Sequence, residues 1–234
     1  MTPRVALALA LIACGTSSKP RRVEVEGSYE GRQIARTCSY LGADWLERPD
    51  REAREQPERV LDLARVAPGM TVADVGAGTG YFTVRLARRV APGGYVYATE
   101  LQPEMLRLLD SHVSREKLKN VQLLLAGEHE AKLPPRCCDL VLLVDVYHEL
   151  TDPPGVMAGI RRSLKPNGRV VLVEYRGEDP KIAIKPEHKM TLPQIKKELG
   201  ALGFAFVVSH EQLPDQRVVE FVRDDAPIPA APPR

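Results

Sequence analysis

The sequence predicts an α/β domain built on a doubly wound, mostly parallel sheet of seven strands. Short runs rich in Val, Leu and Ile alternate with amphipathic helical segments between residues 57 and 208. Runs that are apolar on both faces are typical of strands buried between two layers of helices. The last two runs, residues 204–208 and 217–222, are too close in sequence for a crossover helix. We therefore expect the last strand to be antiparallel.

Helix and turn signals separate the remaining strands. Pro57, Pro103 and Pro154 suit the first turn of a helix, and Thr191 is typical of an N-cap. Pro68-Gly69 and residues 165–168 are expected to end helices. The other predicted strands cover residues 71–75, 95–99, 121–125, 140–144 and 170–173.

The two ends of the chain differ in composition from its middle. Residues 1–14 contain Arg4, a nine-residue apolar run and then Cys14, a pattern that resembles a bacterial signal peptide with a lipobox. The run is too short to span a bilayer, so a lipidated Cys14 would attach the protein to a membrane of the cell envelope. A misassigned start, which would leave the protein in the cytoplasm, is the alternative. Residues 15–39 are predicted to be a tether, 40–223 the folded domain and 224–234 a disordered Pro-rich tail.

Charge and cysteine content limit the classes of function that the sequence allows. Lys and Arg number 33 against 31 Asp and Glu, and the two signs are interleaved, which argues against a nucleic-acid partner. The cysteines after Cys14 are Cys38, Cys137 and Cys138, an odd set that does not indicate a disulfide framework. The vicinal pair is open to soft-metal or redox chemistry, or to packing as small apolar side chains. We expect packing, and the sequence predicts no metal site.

A glycine-rich loop follows the first predicted strand of the sheet. Gly76, Gly78 and Gly80 alternate directly before a helix, where a bare backbone and unpaired N–H groups favour a close-fitting anionic ligand. Glu100 ends the next strand 20 residues later, the usual place for an acid that binds ribose hydroxyls. Dinucleotide loops space their last two glycines three apart. The spacing of two in this sequence argues against an oxidoreductase with a nicotinamide cofactor.

The string VADVGAGTG, residues 72–80, resembles motif I of class I S-adenosylmethionine-dependent methyltransferases. The resemblance extends over about residues 57–223 and implies a Rossmann-like fold with S-adenosylmethionine as cofactor. It implies that Asp74, Gly76, Gly78 and Gly80 hold the methionine part and that Glu100 binds the ribose diol. Leu101 and Gln102 would border the adenine. Glu128 would meet the adenine amino group, although Gly127-Glu128-His129 departs from the commoner Gly-Asp pair.

Residues 139–150 resemble motif IV of the same family and contain the candidate catalytic residues. His148 is the candidate base, because histidine titrates near neutral pH and this one follows the fourth strand. Asp145 or Tyr147 would orient it or line the methionine end of the cofactor. The alternative is that His148 merely caps the next helix. His188 lies outside this stretch, and we expect it either in a solvated loop or at the site that binds the acceptor.

The sequence thus predicts methyl transfer from S-adenosylmethionine to an unidentified acceptor, a small molecule or lipid rather than nucleic acid. A non-catalytic envelope lipoprotein that binds an adenosyl cofactor is the second interpretation, because this cofactor is made in the cytoplasm whereas the leader indicates export. Trp45 is expected to dock the N-terminal helix on the core, with a lid over the pocket as the alternative.

Overall fold

A computed structural model of the chain describes residues 27–227, and its main element is an eight-stranded sheet. A separate two-stranded hairpin pairs β1 (Ser28–Tyr29) with β2 (Arg32–Gln33). The strands of the main sheet are β3 (Thr71–Val75), β4 (Tyr95–Glu100), β5 (Val121–Leu125), β6 (Cys138–Val144), β7 (Leu164–Arg176), β8 (Lys189–Met190), β9 (Phe204–His210) and β10 (Gln216–Arg223).

The order of the strands is β5-β4-β3-β6-β7-β10-β9, with β8 beside the end of β7. The pairs from β5 to β7 are parallel, and β10 is antiparallel to both β7 and β9. The doubly wound sheet of seven main strands with an antiparallel last strand is therefore confirmed, and β8 is a short addition. The strand order reverses beside β3, and ligands of open α/β sheets bind at such a switch point, beyond the carboxyl ends of the strands.

Helices cover both faces of this sheet. They are α1 (Ala43–Leu46), α2 (Arg51–Glu55), α3 (Pro57–Leu63), α4 (Tyr81–Val90), α5 (Pro103–Arg115), α6 (Pro153–Ser163) and α7 (Leu192–Ala201). The sixth begins one residue before the predicted Pro154, because the Asp152 side chain caps it by accepting from the Gly155 N–H. Thr191 is the predicted N-cap of the seventh.

The core lies on the two faces of the sheet, as continuous apolar strands require. Leu142 faces one cluster, together with Leu61 and Leu86 from α3 and α4. Its neighbour Leu143 faces the other cluster, with Ile160 of α6. Both side chains are fully buried. Successive side chains of a strand point to opposite faces, so a run such as Leu140 to Val144 serves both layers at once.

One predicted turn is part of a strand. Residues 165–168 were expected to separate a helix from the fifth strand, yet β7 starts at Leu164, directly after α6. The pairing of β6 with β7 is irregular at this point, since Cys138 lies opposite Leu164 whereas Leu140 lies opposite Arg169. Residues 165–168 are therefore an insertion within the hydrogen-bond ladder between β6 and β7.

The structure also differs from the predicted tether over its last residues. Ala35 is buried, and its N–H donates to the carbonyl of His148 at 3.0 Å. Arg32 donates to both carboxylate oxygens of Glu198 on α7, at 2.8 and 3.0 Å, and to the same His148 carbonyl at 3.0 Å. This ion pair fixes the β1–β2 hairpin against the domain, so residues 27–35 support the segment that contains His148.

The predicted signal peptide with Cys14 and the last seven residues of the tail lie outside the described residues. Within residues 27–227, no helix combines the length and the apolar character that a bilayer crossing requires.

We expect Glu198→Ala to lower the free energy of unfolding by about 3–5 kcal/mol, because it leaves a largely buried Arg32 guanidinium without its partner. Denaturation in urea measures the change. Lys197→Ala is the matched control on the same helix, since its ion pair with Glu30 is exposed and should contribute less than about 1 kcal/mol. Equal losses in the two variants would contradict this account of the hairpin.

Candidate functional site

A cavity of about 480 Å³ opens at the carboxyl ends of β3, β4 and β6. Its walls are formed by the glycine loop after β3, by parts of the N-terminal segment of residues 37–55 and by parts of the segment 183–188. The N-terminal segment contacts the glycine loop, because the Thr79 hydroxyl donates to Glu47 at 2.5 Å. The sequence-predicted residues that line it are Asp74, Gly76, Gly78, Glu100, Leu101, Gln102, Glu128, Asp145 and His148. Residues far apart in the chain thus meet at the topological switch point.

The glycine loop has a backbone that other residues rarely adopt. Gly76, Gly78 and Gly80 have φ angles of +70°, +56° and +94°. A Cβ on Gly76 would lie 2.5 Å from a methyl carbon of Val146, so a side chain there has no room. The Gly76 and Ala77 N–H groups both donate to the Thr99 carbonyl, at 2.9 and 3.0 Å. The loop is therefore folded tightly over the end of β4.

Gly80 has a different role from the other two glycines. It is the N-cap of α4, and it is not among the residues that line the cavity. A Cβ added to it would lie 2.5 Å from the Leu109 side chain of α5. Gly80 thus allows α4 and α5 to pack closely behind the loop and contributes to the site through that packing.

Glu100 is bonded directly to the glycine loop. One carboxylate oxygen accepts from the Gly78 N–H at 3.0 Å, and the other accepts from the Gln102 N–H at 2.9 Å. The side chain is buried but still lines the cavity. A carboxylate has about four lone-pair positions, so two remain for a ligand diol after these bonds.

The residues expected around an adenine lie on the same side of the cavity as Glu100. Leu101 and Gln102 line it directly after β4, and Glu128 lies at its exposed rim. The Gln102 amide is already bonded to the N-terminal segment, since it donates to the Cys38 carbonyl at 2.8 Å and accepts from the Tyr40 N–H at 2.9 Å. Gln102 therefore fastens residues 38–40 across the cavity.

Asp74 is a buried carboxylate beneath the loop. It accepts from the Thr83 hydroxyl at 2.6 Å. Burial raises its pKa to about 6, although the Thr83 bond and the charge of Arg51 oppose the shift. The side chain is thus positioned by α4 and faces the same cavity as Gly76 and Gly78.

Asp145 ends β6 in a strained conformation, with φ at +54°. One carboxylate oxygen accepts from Gln216 at 2.7 Å, and the other is buried without a partner among residues 27–227. Burial and the nearby carboxylates of Glu55 and Glu174 raise the pKa of Asp145 well above its usual value. A buried carboxylate oxygen with nothing bonded to it favours a cationic ligand group at this end of the cavity.

His148 has a carboxylate on one ring nitrogen and a second histidine on the other. Its Nδ1 lies 2.6 Å from Glu174, which is fully buried, and its Nε2 lies 3.1 Å from Nδ1 of His188. Burial disfavours a charged ring, but the carboxylate of Glu174 outweighs it, and the pKa of His148 is raised. Glu149 lies beside both rings, and burial raises its pKa to about 7.

Tyr147 does not line the cavity. Its side chain is fully buried in the core, with the Arg32 guanidinium 5.8 Å from the ring. The prediction that Tyr147 orients His148 or borders a cofactor is therefore wrong. Its ring packs on the side of the sheet that α7 covers. Glu174 and Gln216 instead hold His148 and Asp145.

The N-terminal segment supplies residues that sequence reasoning did not select. Glu55 accepts from Arg48 and Arg51 at 2.5 and 2.7 Å and lies 3.4 Å from the Tyr175 hydroxyl. All four line the cavity. For Arg51 and Glu55, the only sequence signal was their i,i+4 spacing on a short charged helix, which is common on protein surfaces.

Trp45 also lines this wall. It is 55% exposed and stacks on Arg48. The expected docking of this ring into the core is wrong, because α1 has no buried residue, and the ring covers the cavity instead.

A comparison with known families matches residues 67–217 to the model of a methyltransferase domain. This chain belongs to that family. The match covers β3 to β9 and the first two residues of β10, and therefore includes the glycine loop, Glu100 and the His148 segment.

Individual relatives agree with this assignment. A ubiquinone/menaquinone biosynthesis C-methyltransferase of Teredinibacter turnerae is 31% identical over 116 residues, which are 49% of this chain and 47% of that protein. A protein of the same name from Shewanella halifaxensis is 26% identical over 71% of this chain and 69% of its own. This methyltransferase-family chain thus spans about half the length of the first relative. A crystal structure of a SAM-dependent methyltransferase from Aquifex aeolicus is 26% identical, covers 79% of this chain and 98% of its own, and has a TM-score of 0.75.

We expect Asp74→Asn to change how stability depends on pH. An acid with a pKa of about 6 when folded and about 4 when unfolded destabilises the native state as pH rises through that interval, because the unfolded chain ionises first. Relative to the wild type, the variant should gain about 3 kcal/mol in the free energy of unfolding between about pH 4 and pH 7. Urea denaturation across this range measures the gain, with Asp110→Asn on the exposed face of α5 as the control. A constant difference would contradict the burial argument.

Proposed function

We propose that this domain transfers the methyl group of S-adenosylmethionine to a small-molecule acceptor. The observation that carries the proposal is the contact between Gly78 and Glu100 at the cavity, with His148, whose ring is bonded to Glu174, lining the same cavity. This contact joins a bare backbone cradle to an acid suited to a ribose diol. Membership in the methyltransferase family and the solved relative that is named SAM-dependent support the same function.

The residues present fit this cofactor. Gly76 and Gly78 present no Cβ of their own to a ligand, and Glu100 has lone pairs left for two hydroxyls. The flexible end of the Leu46 side chain lies against Gly78 and would have to move aside for a ligand to reach that backbone. The unpaired oxygen of Asp145 suits the positive charge of an ammonium or sulfonium group. Leu101, Gln102 and Glu128 would border the adenine. When bound, the cofactor supplies an electrophilic methyl group, and the protein must mainly align the acceptor with it.

The acceptor would occupy the opposite part of the cavity, whose wall is mixed in character. Trp45, Leu150 and Ile184 supply apolar surface there, and His148 supplies a polar group. The relatives are named for ubiquinone and menaquinone biosynthesis, which supports an apolar acceptor of the quinone or lipid class over a nucleic acid. His148 would activate the acceptor atom, since Glu174 fixes its ring and Nε2 is on the cavity side of that pair.

We also propose that the leader attaches the protein to a membrane of the cell envelope through an acylated Cys14. The motivating observation is the lipobox-like end of residues 1–14. An apolar acceptor dissolved in that membrane would then be close to the cavity. Metabolic labelling of the full chain and of its Cys14→Ser variant with a radioactive fatty acid tests the attachment directly.

Binding of the cofactor is the first prediction of the proposed function. Calorimetry of the full chain should show binding of S-adenosylmethionine and S-adenosylhomocysteine and none of NAD. Glu100→Ala should weaken this binding by about 10- to 100-fold, because it removes charge-assisted hydrogen bonds. Glu104→Ala, an exposed acid four residues along on α5, should bind like the wild type. Unchanged binding in Glu100→Ala, or binding of NAD alone, would exclude this arrangement of the cofactor.

Transfer of the methyl group is the second prediction. Labelled S-adenosylmethionine incubated with the protein and a lipid extract should yield a labelled small molecule. His148→Asn should lower the rate by about 10²- to 10⁴-fold while cofactor binding stays within a few-fold of the wild type. His129→Asn, which changes an exposed histidine outside the cavity, should transfer at the wild-type rate. Tight cofactor binding with no labelled product from any extract would favour a non-catalytic cofactor-binding protein.

A further inference from the structure

Three potential metal ligands converge on the wall of the cavity that faces away from the glycine loop. Nε2 of His148 and Nδ1 of His188 are 3.1 Å apart, and Oε1 of Glu149 lies 3.8 and 3.6 Å from them. All three atoms lie within 4.8 Å of one another. Donors bound to zinc at about 2.0–2.1 Å in a tetrahedral site are roughly 3.3 Å apart. The three separations are therefore close to those of a preformed site.

The groups behind these ligands are those that metal sites use. Histidines that bind metals almost always direct their other ring nitrogen to a carboxylate or carbonyl, which fixes the tautomer. Nδ1 of His148 meets Glu174 at 2.6 Å, and Glu174 is fully buried. The second oxygen of Glu149 accepts from the Cys38 N–H at 3.1 Å. In His148 and Glu149, one donor atom is thus held by the fold, and the other is directed at the cluster.

The charge around the cluster also favours a cation. The carboxylate of Glu149 lies beside both rings, and the carboxylate of Glu174 contacts the His148 ring. The cations close to the rings are few: Arg32 is bonded to Glu198 and to a backbone carbonyl, and Lys185 belongs to the loop of His188. A divalent ion would offset this excess of negative charge and take the place of the proton that the two ring nitrogens otherwise share.

We propose that His148, Glu149 and His188 form a binding site for a divalent transition-metal ion, with zinc as the best match. Two imidazoles and one carboxylate are the ligands of open zinc sites, in which a fourth position remains for water or substrate. The three side chains all line the cavity, so that position opens into it. If the methyltransferase function holds, the ion would replace the His148 imidazole as the group that activates the acceptor. An acceptor with an ionisable oxygen or sulfur would bind the ion and lose its proton to solvent on binding.

The alternative is a hydrogen-bonded relay without metal. An N–H of one ring donating to the other also accounts for a separation of 3.1 Å between His148 and His188. The relay requires nothing of Glu149, whereas the metal site requires its carboxylate. Glu149 is therefore the residue whose replacement distinguishes the two.

The test uses the untagged full chain, stripped with a chelator, and measures binding without cofactor or acceptor. Titration with Zn²⁺ in a competition assay should show one equivalent bound per chain. Co²⁺ in place of zinc should give visible d–d absorption without thiolate charge transfer. His188→Gln and Glu149→Gln should each weaken binding by at least about 10-fold, and His129→Gln should bind like the wild type. His188 lies in a partly exposed loop, so its variant is expected to fold, which circular dichroism checks.

Three results would overturn the proposal. They are no zinc bound by the stripped protein, undiminished binding in His188→Gln and Glu149→Gln, or a thiolate band that points to Cys38 or the Cys137–Cys138 pair. A further experiment distinguishes failure of the metal site from failure of the methyltransferase function, on which the catalytic role of the metal rests. Zinc binding that persists in Glu100→Ala while the cofactor no longer binds would keep the metal site and remove only the cofactor site.

Discussion

The arrangement of the site depends on how closely the glycine loop approaches the ends of β3 and β4. Two loop N–H groups share the Thr99 carbonyl, and a third bonds Glu100. A side chain at Gly76 would collide with Val146, the residue that follows Asp145. The same close packing therefore sets the position of the loop, of the acid on β4 and of the segment after β6.

The second feature of the site is the number of carboxylates that the fold buries around one cavity. Asp74 and Glu174 are buried and Asp145 is half-buried, and Asp145 and Glu174 each have a buried oxygen without a hydrogen-bond partner among residues 27–227. Burying a carboxylate is unfavourable unless it is paired, so these groups reduce the stability of the empty protein. Cationic ligands, whether a sulfonium, an ammonium or a metal ion, would offset the cost. The electrostatics of the cavity and the proposed ligands are thus consistent with each other.

The N-terminal segment completes the cavity in a way that the central sheet does not require. Residues 37–55 lie across the carboxyl ends of the strands, where Gln102 fastens them by two hydrogen bonds to the backbone. The Arg48–Arg51–Glu55 cluster then forms part of the wall. The family match begins at residue 67, so this wall lies outside the matched region. The proposed acceptor would therefore meet a wall that the family match does not cover.

The sequence by itself determined the sheet, the crossovers, the antiparallel last strand and the position of the glycine loop with Glu100. These features follow from local patterns: apolar runs, helix caps, and glycines whose φ angles exclude other residues. Only the tertiary structure decided which side chains meet, because His148, Glu174 and His188 come from three separate elements and no spacing relates them. The same holds for Tyr147 and Trp45. The sequence predicts Tyr147 at the site, whereas in the structure its side chain is buried in the core. Trp45 is predicted to dock on the core, whereas in the structure it lines the cavity. The hydrophobic periodicity of the sequence indicates only which residues are apolar. The packing of the β1–β2 hairpin, α1 and α2 against the sheet determines where each side chain lies.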